Sequence, residues 1–124
     1  MNPAVLAVLM AAVLPIVCAG IAKWGARGYD NHEPRAWLSA QAGWRARANA
    51  AQQNSFEAFP MFAAGVILAS LQGVDQDSVN LCCWGFIAMR VLYIYCYVAD
   101  RSTLRSVAWL LGLVAVIRLY VLAL

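Results

Sequence analysis

The chain has 124 residues, 64% hydrophobic and 12% charged, with a formal net charge of +3. That charge content is about half the usual soluble share, and a soluble domain of this size could not hide so much apolar surface, which excludes a soluble class. The cations are confined to particular loops and no basic stripe carries interleaved exposed aromatics, so the charge speaks for membrane orientation and an anionic ligand, not for nucleic acid.

Apolar segments predict an all-α integral membrane protein, a single domain over residues 1–124 with four spans at about 3–24, 45–72, 79–99 and 103–124. The first span has no Lys or Arg before it, so it lacks the basic start of a signal peptide and reads as retained. Pro15 lies inside it and predicts a kink, and Lys23 and Trp24 end it as interface anchors. Residues 25–43 form a polar connection, in which 36–42 predict a short interfacial helix that dips Trp37 and Leu38 into lipid. Residues 73–78 form a tight turn without cations, with Asp77 or Ser78 as N-cap of the third span. On the fourth span, Arg118 lies about 9 Å from the C-terminal end and can snorkel to that interface.

The second span organises the rest. It starts basic, passes through a polar run and ends apolar, and the apolar run 59–71 is about half of the roughly 20 residues that a crossing needs. Gln52, Gln53, Asn54 and Glu57 therefore enter the bilayer with it. Lipid does not solvate such groups, so they must face protein or a water-filled cavity. They predict a polar ligand site that opens to the arginine-rich side. Arg47, Asn54 and Glu57 share one helix face, which Gln53 borders, and Arg90, Tyr93 and Tyr97 form one stripe at i, i+3 and i+7 on the third span. Counted at 1.5 Å per residue, Glu57 and Arg90 lie about 22 and 16 Å from the same membrane surface, and an arginine side chain can close that difference. Each alone is an uncompensated charge in low dielectric, which predicts a Glu57–Arg90 pair. Arg105 begins the fourth span, where a cation opposes the helix macrodipole, and that small cost suggests a specific anion beside Ser106.

Four spans put the first and third loops on one side, with Lys23, Arg27, Arg35, Arg45, Arg47, Arg101 and Arg105. The positive-inside rule makes that side cytoplasmic, with both termini opposite. Cys18, Cys82, Cys83 and Cys96 all lie in apolar segments, make no CxxC and read as small buried hydrophobes. His32 is the only histidine and sits far from them in a loop, so no metal site is expected.

Arg47, Asn54 and Glu57, with Pro60 following, resemble the second-helix signature of the MAPEG family, the membrane-associated proteins of eicosanoid and glutathione metabolism. The block at 90–106, RVLYIYCYVADRSTLRS, is similar to the end of that family's third helix and the start of its fourth. The two blocks occur in order within a four-span chain, and the resemblance is to a divergent, bacterial-type member. It implies a four-helix transmembrane bundle assembled as a homotrimer, with the polar site between subunits. It implies glutathione held by Arg47, Gln53, Asn54, Glu57, Arg90, Tyr93 and Tyr97, and activated near Arg105 and Ser106. The implied activity is a glutathione-dependent transferase or peroxidase acting on lipophilic electrophiles that arrive from the bilayer. The chain departs from the family pattern at Ala50 and Gln52, where a usual arginine and histidine are missing, and Trp109 stands where some members have tyrosine. A second reading is a non-catalytic lipid- or ligand-binding protein on the same scaffold. A third, a small transporter, is disfavoured because the chain shows neither inverted repeats nor paired broken helices.

Overall fold

The computed structural model describes residues 1–124 and contains only helices: α1 (Pro3–Lys23), the short α2 (Pro34–Ser39), α3 (Gly43–Leu71), α4 (Gln76–Val98) and α5 (Ser102–Ala123). Four of them, all but α2, are long and apolar enough to cross a membrane. α1 packs chiefly on α3 and α4 on α5, while α3 touches α1, α4 and α5. At 29 residues α3 is about 43 Å long, well beyond the ~30 Å hydrocarbon core, so it is long enough to cross a bilayer without submerging its basic first turns.

Small residues allow this packing. The inner face of α1 is Ala4, Ala7, Ala11, Pro15, Cys18 and Ala22, all buried. Without a hydrophobic drive between helices in lipid, side chains of this size gain contact by letting backbones approach. Large apolar side chains such as Leu9, Ile16, Leu110, Val114 and Ile117 instead point outward from the bundle. Phe62 of α3 stacks on Phe86 of α4 with ring centroids 4.1 Å apart. At Gly65 a Cβ would stand 3.0 Å from the Tyr120 ring and 3.4 Å from Leu119, so glycine sets the α3–α5 distance there. All four cysteines are free and buried, in agreement with their reading as small hydrophobes.

Three local expectations change. The short helix occupies Pro34–Ser39 rather than 36–42, and Leu38 is buried against Ala22 and Ala48 instead of entering lipid, because α2 folds back onto the α1–α3 seam. Trp37 meets the edge of Tyr29, whose ring also carries Lys23. The N-cap of α4 is Asp75, not Asp77 or Ser78: its carboxylate accepts from the Ser78 N–H at 2.9 Å, and hydrogen bonding from Ser78 holds it below the usual carboxylate range. α1 and α3 both continue as single helices through Pro15 and Pro60.

The basic end of the bundle is tied by two arginines from the start of α3. Arg45 Nη1 donates to the Ala22 carbonyl at 2.8 Å, and Arg47 donates from Nε and Nη2 to the Val98 carbonyl at 3.2 and 3.1 Å. These carbonyls belong to the last turns of α1 and α4, where the orphan acceptors and the negative end of each macrodipole favour a cation. Replacing Arg45 or Arg47 by Met should therefore lower the thermal midpoint in detergent, each by the equivalent of about 1.5–3 kcal/mol for a charge-assisted bond. Midpoints equal to wild type would show the caps to be energetically idle.

Candidate functional site

The centre of the site is Arg90, which is 3% exposed in the middle of α4. Its Nη1 donates to Asn54 Oδ1 at 2.8 Å and its Nη2 to Ser55 Oγ at 3.0 Å. Ser55 in turn donates to the Ala51 carbonyl at 2.8 Å. The guanidinium lies over the Tyr93 ring, 4.2 Å from its centroid. A guanidinium offers only donors, so the Asn54 oxygen must face it, which leaves the Asn54 amide hydrogens for another acceptor.

The expected Glu57–Arg90 pair is thus replaced by hydrogen bonds from Arg90 to two neutral acceptors. The depths were compatible, but Glu57 lies about 60° round the helix from Asn54 at ~100° per residue, and that rotation takes it out of the α3–α4 seam. Glu57 is exposed, at the edge of a cleft of about 210 Å³ bounded by Asn54, Arg90, Met61, Phe86 and Trp109, with Gly112 at its base. That volume is below the ~300–1,000 Å³ usual for ligand pockets. The cleft holds one group of a ligand, not a whole peptide.

A second row runs from Arg90 to the basic end. Tyr93 is buried and meets Tyr97 edge-on, with centroids 5.6 Å apart at 82°, and Arg105 of α5 lies over Tyr97 at 4.2 Å. The stripe Arg90, Tyr93, Tyr97 read from spacing is therefore real, and the α4–α5 reversal adds Arg105 to it. Asp100 adopts φ 60° in that reversal, and the Arg101 N–H reaches the Cys96 carbonyl at 2.7 Å. This is the left-handed helix ending that usually takes glycine.

The other anticipated residues lie apart. Arg47 is engaged with the α4 terminus, as described. Gln53 borders a separate polar hollow of about 450 Å³ with Arg35, Asn49 and Gln52. Ser106 is exposed and donates to the Ser102 carbonyl of its own helix at 3.1 Å. Ser55 is the participant that spacing did not single out. Its signal was that a charge at mid-span needs acceptors on a neighbouring helix, and a small hydroxyl next to Asn54 supplies one.

Four membrane-length helices around a buried arginine, with a carboxylate and a carboxamide lining a small cleft beside it, make up an integral multi-pass membrane protein. The MAPEG family model matches residues 3–124, and the chain belongs to the MAPEG family. No curated protein and no solved structure matches it.

The hydrogen bonding predicts that Arg90 is coupled to Asn54 more strongly than to Glu57. Thermal midpoints of Arg90→Met, Asn54→Leu, Glu57→Gln and the two double variants should show a coupling of about 0.5–3 kcal/mol for Arg90 with Asn54, the range of residues in contact. Near-additivity is expected for Arg90 with Glu57. The reverse ranking would mean that the ion pair organises the site after all.

Proposed function

We propose that this chain is a divergent, bacterial-type MAPEG protein that binds glutathione at a site completed between subunits of a homotrimer, and conjugates it to, or uses it to reduce, a lipophilic electrophile from the bilayer. The observation that carries this reading is Glu57. It is a carboxylate exposed on the bundle surface within the membrane-spanning part of α3, beside Asn54 and Arg90. Lipid cannot solvate it, so a polar ligand or a neighbouring copy must cover it.

The residues suit a zwitterionic peptide. Glu57 can take its ammonium group, the free Asn54 amide hydrogens a carboxylate or peptide carbonyl, and Arg90 further negative charge. Tyr93 and Tyr97 wall the approach from the basic end, and Arg47 stands at its rim. Gln53, turned away from this cleft, serves the site from a neighbouring copy. The cleft is smaller than such a ligand, which fits a site that one subunit only half forms. Glutathione supplies a thiol nucleophile when bound. Arg105 would hold the thiolate by charge, which lowers the pH at which the proton leaves, with the Ser106 hydroxyl beside it. Met61, Phe86 and Trp109 give the electrophile an apolar wall.

A calorimetric titration with glutathione, followed by a chromogenic electrophile assay, tests this. Arg105→Ala should keep binding within a few-fold and lose about 10²–10³ in turnover, the scale for removal of one charge-stabilising donor. Absence of both binding and turnover would refute the reading, as would purely monomeric protein in native mass spectrometry across several mild detergents. The alternative, ligand binding without catalysis, is favoured by Ala50 and Gln52, where the family pattern carries arginine and histidine. It predicts a heat of binding with no turnover.

From the charge asymmetry we also propose that residues 25–43 are cytoplasmic and 73–78 lie on the opposite side. In a cysteine-free background, Gln76→Cys should label with an impermeant maleimide in intact cells. Labelling only after permeabilisation would invert the orientation.

A further inference from the structure

The structure distinguishes Arg105 from the other arginines near the site. Arg45, Arg47 and Arg90 are held by hydrogen bonds to protein acceptors. Arg105 is instead held by the face of Tyr97, 4.2 Å from the ring centroid. It stands in the first turn of α5, which has neither a side-chain cap nor an acidic residue, so the macrodipole works against it.

We infer that Tyr97 acts through its ring, as a positioning residue that seats the Arg105 guanidinium. The seat is itself rigid. Tyr97 is braced edge-on by Tyr93, which lies beneath Arg90. The carbonyl of the next residue, Val98, receives two hydrogen bonds from Arg47. The reversal at Asp100 joins Cys96 to Arg101 and fixes how α5 leaves α4. The ring is thus fixed from α3, α4 and the turn, and the guanidinium rests on it with its donor edge free. A cation over an aromatic face is attracted by the ring quadrupole, which tryptophan and tyrosine provide best, phenylalanine provides too, and an aliphatic side chain lacks.

This assignment rests on the reading of Arg105 as the thiolate partner for its catalytic meaning, but not for its geometry, and two measurements separate the two. In the first, the full chain in one detergent is treated with phenylglyoxal and modification of Arg105 is followed by peptide mass spectrometry. Tyr97→Phe should react at about the wild-type rate and Tyr97→Leu about 2- to 30-fold faster, the factor to which a cation–π contact of ~0.5–2 kcal/mol corresponds. Tyr97→Trp should react no faster than wild type, and this variant decides the matter if the leucine variant does not fold. In the second, thiolate absorbance of bound glutathione is followed against pH. The midpoint should be higher in Tyr97→Leu than in Tyr97→Phe, since only the latter keeps an aromatic face under Arg105. Phenylalanine behaving like leucine in the modification assay, or leucine and tryptophan leaving the rate as in wild type and above it respectively, would overturn the seat. Failure of wild type to give any bound thiolate, with the modification pattern intact, would instead overturn the glutathione reading and leave the seat standing.

Discussion

A guanidinium at the middle of a membrane-spanning helix is expensive wherever it points, by several kcal/mol on insertion scales. In this bundle Arg90 points inward, and what surrounds it follows from its needs: acceptors from Asn54 and Ser55, and an aromatic face from Tyr93. The two acceptors come from one helix and the cation from another, so the interaction also fixes the rotation of α3 against α4. Because the acceptors are neutral, the positive charge is solvated but not cancelled. A positive potential therefore persists at the inner end of the cleft that Glu57 borders, and the cleft keeps a bias toward negative charge even though a carboxylate stands at its mouth.

Along the basic end, arginines are held in two different ways. Arg45 and Arg47 close the last turns of α1 and α4, and in doing so they hold the ends of those helices at one level. Arg105 is set by an aromatic face and so retains its donors. An arginine in a membrane protein's basic loop is thus not merely a topological signal. Whether it is available to a ligand depends on whether a helix terminus has already claimed it.

The four spans were legible because each is a long apolar run broken by turn residues such as Gly73 and the 100–102 segment. The stripe from Arg90 to Tyr97 was legible because it depends on the period of one helix. What escaped depends on two helices at once. Depth along a helix follows from counting residues, and it placed Glu57 and Arg90 within reach. Rotation about the helix axis does not follow from counting, and it turned Asn54 and Ser55, not Glu57, toward α4. The partner of Arg47 and the place of Leu38 escaped for the same reason: one reaches Val98, 51 positions away in sequence, and the other closes a seam between α1 and α3. The cap at Asp75 was a nearer miss, since three residues in one turn could each have served and only backbone geometry selects among them.

The order in which these partners occur along the chain bears on biogenesis. α3 is the least apolar of the four spans, and α1, which precedes it, is the most apolar. α1 can enter the bilayer unaided, and α3 then finds in the buried alanine face of α1 a surface to pack on while its polar run is still unsatisfied. Asn54 and Ser55 precede Arg90 in the order in which the chain is made. Arg90, the costliest of the three to insert, is the last to be synthesised. Had α4 come first, Arg90 would have waited in lipid for Asn54 and Ser55; in this order the waiting, as far as this contact is concerned, falls to its two neutral acceptors, for which it is far less costly.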